Sequence, residues 1–185
     1  MKYLVQERLF HLLHAEFSIE DEIGNSAYTV DTTVLKLRQA LELKDASGNV
    51  LTVIPQKWIS FGNTMHIEDA SGLGIAKVRP AFFSPIKHRY EIDLANGSHL
   101  EAVGDFMDRD WQLTGTDGGV IGRISRQWAW KGDAYGVEVL PGGNDALVIS
   151  IAICMDHIYD EQAEQRQANQ MNQMHQGSSG LTFNL

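Results

Sequence analysis

Basic residues are concentrated around one hairpin-like stretch, where they could bind phosphate. Lys77-Val78-Arg79 and Lys87-His88-Arg89 flank Pro80–Pro85, and no residue from 77 to 89 is acidic. If the apolar residues that alternate with them face inward, the basic side chains project outward from two consecutive strands. Guanidinium and ammonium groups pair well with phosphate oxygens. The pattern predicts a site for a phospholipid head group or another phosphorylated ligand, with plain barrel surface as the alternative, at Lys77, Arg79, Lys87, His88 and Arg89.

Three closely spaced carboxylates, Asp105, Asp108 and Asp110, have the residue type that binds hard cations or transfers protons. They match no recognised metal-binding loop. Aspartates in a short connection commonly accept hydrogen bonds from turn backbone instead. We therefore predict a turn here and no metal site.

Cys154 and His157 are spaced i, i+3 within an apolar stretch, which on a helix could pair a nucleophile with a base. A cysteine inside an apolar helix is usually an inert, buried side chain. The sequence also contains no P-loop, no dinucleotide-binding fingerprint and no Gly-x-Ser-x-Gly elbow. It therefore predicts no catalytic residues and no cofactor.

The overall charge restricts the partners further. The chain of 185 residues has 24 acidic and 15 Lys and Arg residues, a net charge of −9, which argues against general nucleic-acid binding. Its one cysteine cannot form an intramolecular disulfide, and its first eight residues show no secretory signal. These features favour a cytoplasmic protein, with peripheral membrane association if the basic hairpin binds lipid.

The elements that would position these residues follow from a repeat. An apolar-x-apolar triplet recurs at intervals of 21 to 25 residues and alternates with polar residues, as half-buried strands do. Turn-forming residues and a second apolar limb follow in the first five copies, so each copy predicts a hairpin. Six copies with two strands each give twelve strands. An open sheet of twelve strands has two free edges, which a closed barrel removes. The triplets are Phe17/Ile19, Leu41/Leu43, Met65/Ile67, Tyr90/Ile92, Trp111/Leu113 and Tyr135/Val137.

The barrel needs a filling, and residues 146–155 supply one. This segment is apolar on every side, which is typical of a buried helix, and Asn144 or Asp145 can cap it. Because the segment is β-branched, a thirteenth strand is the alternative. We predict an antiparallel twelve-stranded barrel of six hairpin repeats over residues 1–160, with a central hydrophobic C-terminal helix at about 145–160.

Residues 161–185 differ in composition from the barrel. They are rich in Gln and Asn, and their helix-forming residues could extend the central helix until Gly177 to Gly180 ends it. Low complexity leaves disorder as the alternative. The tail could recruit a protein partner in either state.

Beyond these patterns, the chain resembles the LURP-one-related family of the tubby-like superfamily over about residues 1–158. That resemblance implies the same barrel threaded by a hydrophobic helix. It implies little chemistry, although relatives in the superfamily include phosphoinositide-binding tubby domains and phospholipid scramblases. The matching features are Lys2-Tyr3-Leu4, the Ile-x-Asp-x-x-Gly hairpins, the segment from Gly104 to Trp111, the strand from Ile124 to Trp128, and the helix start Asp145-Ala146-Leu147.

We therefore expect a non-enzymatic binding or adaptor domain. Its expected partner is an anionic phospholipid or membrane surface, or else a protein bound by the tail. The alternatives are a scramblase-like protein, which needs the apolar helix to reach a bilayer, and a protein-interaction module that uses the Gln-rich tail. An enzyme would need convergent polar residues in a pocket, and no motif identifies such a set.

Overall fold

The structure, a computed structural model, describes residues 1–6, 16–35, 38–55, 64–81, 88–105, 110–125 and 134–178. Within these ranges it contains twelve β-strands followed by one α-helix, α1 (Asp145–Ser178). The strands are β1 (Lys2–Gln6), β2 (Glu16–Asp21), β3 (Ser26–Leu35), β4 (Arg38–Asp45), β5 (Val50–Pro55), β6 (Met65–Asp69), β7 (Gly74–Pro80), β8 (His88–Leu94), β9 (His99–Asp105), β10 (Asp110–Gly115), β11 (Val120–Ser125) and β12 (Ala134–Val139).

The strands form one closed antiparallel barrel in which each strand pairs with its neighbours in sequence. The first and last strands close the sheet, with Tyr3 of β1 opposite Val137 of β12. The predicted twelve-stranded antiparallel barrel of hairpin repeats is confirmed.

Period-two alternation places one side of every strand in the core. All the triplet residues used for the prediction are buried except Phe17, which is partly buried against the same cluster. The polar residues between them lie on the outer surface, as in β8, where Glu91 and Asp93 alternate with the buried Tyr90 and Ile92. The repeated triplet is therefore the inward-facing side of the barrel wall.

Five tight turns connect the strand pairs at one end of the barrel, and each contains a glycine with positive φ, which other residues rarely adopt. In the β4–β5 turn, the Asp45 carboxylate accepts hydrogen bonds from the Asn49 side chain and from the backbone N–H of Ser47 and Asn49. These bonds lower the pKa of Asp45, and the bond from the Asn49 side chain has the largest effect. The turn glycines are Gly24, Gly48, Gly72, Gly97 and Gly118.

The segment that follows β12 is a helix, so the alternative of a thirteenth strand is wrong. Asn144 caps it, because its Oδ1 accepts the N–H of Leu147 at 2.9 Å. Residues Val148 to Met155 are all buried, which covers every face of the helix for two turns. Inside the barrel, Ser150 bonds to Thr52 of β5 at 2.7 Å, and at the helix start Tyr3 donates to Asp145 at 2.9 Å.

Beyond the barrel, α1 continues as a helix to Ser178, and residues 164–173 are exposed. Most residues of this part are polar, although the side chain of Met171 is 57% exposed. Among the described residues, no helix has both the length and the apolar character needed to cross a membrane.

Candidate functional site

Strands β7, β8 and β9 carry a set of charged residues on their outer surface, which we call the β7–β9 face: Lys77, Arg79, Arg89, Glu91, Asp93 and Glu101. The inward positions of these strands are apolar and buried, so the charged positions between them point outward, as the alternation predicts. The strand register places Lys77 opposite Asp93 and Arg79 opposite Glu91.

The two arginines of the β7–β9 face are paired with carboxylates of neighbouring strands. Arg79 contacts Glu91 at 2.9 Å and Asp93 at 3.5 Å. Arg89 of β8 forms an ion pair with Glu101 of β9. Lys77 has no ion pair with any residue in the described ranges.

The two described arginines of the predicted phosphate site therefore already have carboxylate partners. Three positive and three negative side chains share the face, so its formal net charge is zero. Residues 77–89 contain no acidic residue, but the strand register places Glu91, Asp93 and Glu101 beside them. Lys87 lies outside the described residues, and His88 is placed only as the first residue of β8.

The ion pairs of the β7–β9 face are open to solvent. The side chains of Arg79 and Arg89 are 44% and 50% exposed. Exposed pairs of this kind contribute about 0–1 kcal/mol each. Another anion can therefore replace the carboxylate partners at a small energetic cost.

A second feature is a half-open pocket at the opposite end of the barrel from the tight turns, where α1 leaves the interior. We call it the mouth pocket. It lies between the wall strands β10, β11 and β12 and the helix, and its lining is almost entirely apolar. The lining residues are Trp111, Ile124, Tyr135, Ala152, Met155, Asp156 and Tyr159.

Trp111 dominates the barrel side of the mouth pocket. Its ring packs edge-to-face on Tyr90, with ring centres 6.4 Å apart. Gly104 lies beside it in β9, and a Cβ on Gly104 would overlap both the Asp110 carbonyl and the indole ring. The Trp111 indole Nε1 is buried and has no hydrogen-bond partner among the described residues.

The remaining predicted chemistry is not assembled into a site. Cys154 is fully buried, and burial raises the pKa of its thiol, so it is not a reactive thiolate near neutral pH. His157 instead pairs with Glu161 at 3.2 Å, one turn along α1, and this contact lowers the pKa of Glu161.

Of the three predicted turn aspartates, Asp110 begins β10 and is exposed, Asp105 ends β9, and Asp108 lies outside the described residues. Within the described ranges, no three His, Cys, Asp or Glu side chains are grouped as metal ligands would be.

The mouth pocket was not predicted from the sequence. Trp111 and Tyr135 are the first residues of the fifth and sixth triplets, and their bulk at that position is the one signal that could have indicated it. The pocket itself depends on where the helix leaves the barrel, which no local pattern encodes.

Comparison with known proteins gives a family but no activity. The family model described as LURP-one-related matches residues 1–156. The uncharacterised protein YxjI of Bacillus subtilis (strain 168) is 24% identical over 165 residues, which cover 89% of this chain and 98% of YxjI. A crystal structure of an Arabidopsis thaliana protein covers 71% of this chain and 92% of its own at 14% identity, and its TM-score of 0.38 is too low to carry an argument.

Proposed function

The chain belongs to the LURP-one-related family, and we propose that it is a non-enzymatic binding domain that recognises a phosphorylated ligand, such as a phospholipid head group, on its β7–β9 face. Such binding would hold the protein peripherally at a membrane surface. The tubby-like resemblance of the sequence supports this proposal, since that superfamily includes phosphoinositide-binding domains.

The observation that carries the proposal is the arrangement of Lys77, Arg79 and Arg89 on two adjacent strands. Lys77 is exposed and has no ion pair among the described residues, so its ammonium is available. The guanidinium groups are held by exposed carboxylates, and a phosphate offers them a stronger, bidentate partner. The ligand would therefore exchange with Glu91 and Glu101.

The binding strength should be modest. Each basic residue near an anionic bilayer contributes about 1 kcal/mol, so the three described cations supply at most about 3 kcal/mol, and the repulsion of Glu91, Asp93 and Glu101 on the same face reduces this. The net charge of −9 opposes the approach to an anionic surface. We expect weak, salt-sensitive association.

Vesicle sedimentation tests the proposal. The protein is spun with vesicles of phosphatidylcholine alone and of phosphatidylcholine mixed with phosphatidylserine, and soluble inositol trisphosphate is added as a competitor. We expect sedimentation with the mixed vesicles only. The variant Lys77→Glu/Arg79→Glu/Arg89→Glu should lower the bound fraction several-fold.

Arg123→Glu is the matched control. Arg123 lies on the outer surface of β11, is 45% exposed and pairs with Glu138 at 3.1 Å, so it is a carboxylate-paired arginine of similar exposure on another part of the barrel. It should bind like the unmodified protein. Equal sedimentation of the triple variant and the unmodified protein would refute the proposal, while competition by inositol trisphosphate would show that a soluble phosphate suffices.

A second candidate function is protein interaction through the helical extension of α1. The observation that favours it is the run of exposed, mostly polar residues 164–173, which extends α1 past the buried part of the helix. Pull-downs with the full chain and with a chain lacking residues 160–185 would test it. Identical sets of captured proteins would contradict this candidate.

The scramblase-like alternative receives less support. It requires the apolar part of α1 to reach a bilayer, whereas Val148 to Met155 are buried inside the barrel. Releasing this segment would expose the whole interior of the barrel wall to water, at a large cost in free energy.

A further inference from the structure

The mouth pocket lies apart from the β7–β9 face and combines an apolar lining with a buried hydrogen-bond donor. Its space amounts to about 300 Å³ when its open mouth is included. The enclosed part of this space has room for about one water molecule. A larger guest therefore needs a side chain to move, and Met155 on the wall has the flexible, unbranched chain that allows this.

The Trp111 indole supplies the polar group of this site. Trp111 is 7% exposed, and its Nε1 has no hydrogen-bond partner in the described part of the chain. Buried donors are almost always paired, because leaving one unpaired costs its full desolvation. Small-molecule sites typically combine an apolar lining with a few polar groups that orient the ligand.

We propose that the mouth pocket binds a small uncharged ring or short-chain compound with one carbonyl oxygen, which accepts the hydrogen bond of the Trp111 indole. The apolar part of the ligand packs on Ile124, Ala152 and Met155. The Asp156 carboxylate among the lining residues disfavours anions. A lone water is less well suited, because the apolar lining offers it few partners.

Cyclohexanone is the probe, and its oxygen-free analogue methylidenecyclohexane is the matched control ligand. Each is titrated into the full chain while the tryptophan indole N–H signals are followed by NMR, with Trp111→Phe used to assign the Trp111 signal. We expect cyclohexanone to move this signal downfield and to saturate with a Kd on the order of 1 mM, as a fragment of this size does. Contacts from the ring to the Met155 methyl should appear as nuclear Overhauser effects.

Two variants separate the donor from the pocket. Trp111→Phe keeps an aromatic ring but removes the N–H, so it should weaken cyclohexanone about fivefold, read from the Met155 methyl signal, and leave methylidenecyclohexane unchanged. Ala152→Leu should fill the pocket and abolish binding of both compounds. Thermal unfolding confirms that each variant folds.

Several results would overturn the proposal. These are the absence of a saturable shift of the Trp111 signal, the same shift with methylidenecyclohexane, and unchanged binding by a folded Ala152→Leu variant. A bound-water signal at the indole that persists at saturating cyclohexanone would show a hydration site instead. Vesicle binding by the β7–β9 face is unaffected by any of these outcomes, so the two proposals fail separately.

Discussion

The β7–β9 face and the mouth pocket differ in whether their polar groups already have partners. On the face, every described guanidinium already has a carboxylate partner, and solvent keeps those contacts weak. In the pocket, the buried indole N–H of Trp111 has no partner among the described residues, and its surroundings are apolar. A ligand on the face must displace existing contacts, whereas a ligand in the pocket completes a missing one.

The difference shows that exposed charges and buried groups contribute unequally to the stability of such a barrel. The face contains six ionisable groups, yet removing any one should change stability little, because water takes over its interactions. The interior contains few polar groups. Losing the hydrogen bond of one of them should cost more stability, because no water molecule takes the place of the lost partner.

The two sides of β8 provide the sharpest contrast. Ile92 is completely buried, and Ile92→Ala should lower the free energy of unfolding by about 2–5 kcal/mol, because it leaves a cavity. Glu91→Ala on the outer side should cost less than about 1 kcal/mol. Urea denaturation of both variants checks this, and comparable losses would mean that the ion pairs contribute as much as the core.

Two core alanines test whether the mouth pocket is real space. Ala102 of β9 is completely buried away from the pocket, so Ala102→Leu should cost about 1–3 kcal/mol through overpacking. Ala152→Leu should cost less, because Ala152 borders the half-open mouth pocket, where the new side chain extends toward the opening once Met155 moves aside. Alanine and leucine are both good helix formers, so helix propensity hardly affects the comparison at position 152. Equal destabilisation in urea melts would show that the pocket is closed in solution.

The hydrogen bond between Thr52 and Ser150 tests the value of a buried polar contact. Ser150→Ala leaves the Thr52 hydroxyl unpaired in the core and should cost about 1–2 kcal/mol. Thr52→Val should cost less, because a helical serine can bond to the carbonyl one turn back. The double variant should lose less than the sum of the two, and strict additivity in denaturation experiments would contradict the coupling.

The smallest effect belongs to the ion pairs. A double-mutant cycle on Arg79 and Glu91 should give a coupling energy of about 0.5 kcal/mol at low salt that vanishes at about 1 M salt. The cycle on Arg123 and Glu138 is the comparison, because Glu138 is only 18% exposed and should couple more strongly. A salt-independent coupling for Arg79 and Glu91 would show that the β7–β9 face is less accessible than its exposure indicates.

The parts of this structure that local patterns encode were predictable. Alternation fixes which residues of a strand face inward, so the burial of Tyr90 and Ile92 and the outward position of Arg79 follow directly. The turn glycines indicate five hairpins, because a tight turn needs a residue that adopts positive φ. The helix was harder, because an all-round apolar run fits a buried strand as well.

Contacts between elements were not predictable. Whether Arg79 is free or paired depends on the register that sets Glu91 opposite it, and Glu101, which pairs Arg89, lies on a third strand. The mouth pocket requires three strands and one helix to meet at particular positions. A sequence read one element at a time shows charge and hydrophobicity but not which groups end up adjacent.

The closure of the barrel by β1 and β12 affects how the protein is made. Tyr3 finds its partner Val137 only after almost the whole barrel has been synthesised, and the helix that fills the interior emerges later still. Until then the growing chain has an open strand edge and an unfilled apolar surface, both prone to association. Such distant pairings also slow folding. The newly made chain can therefore bury its apolar interior only after α1 has been synthesised.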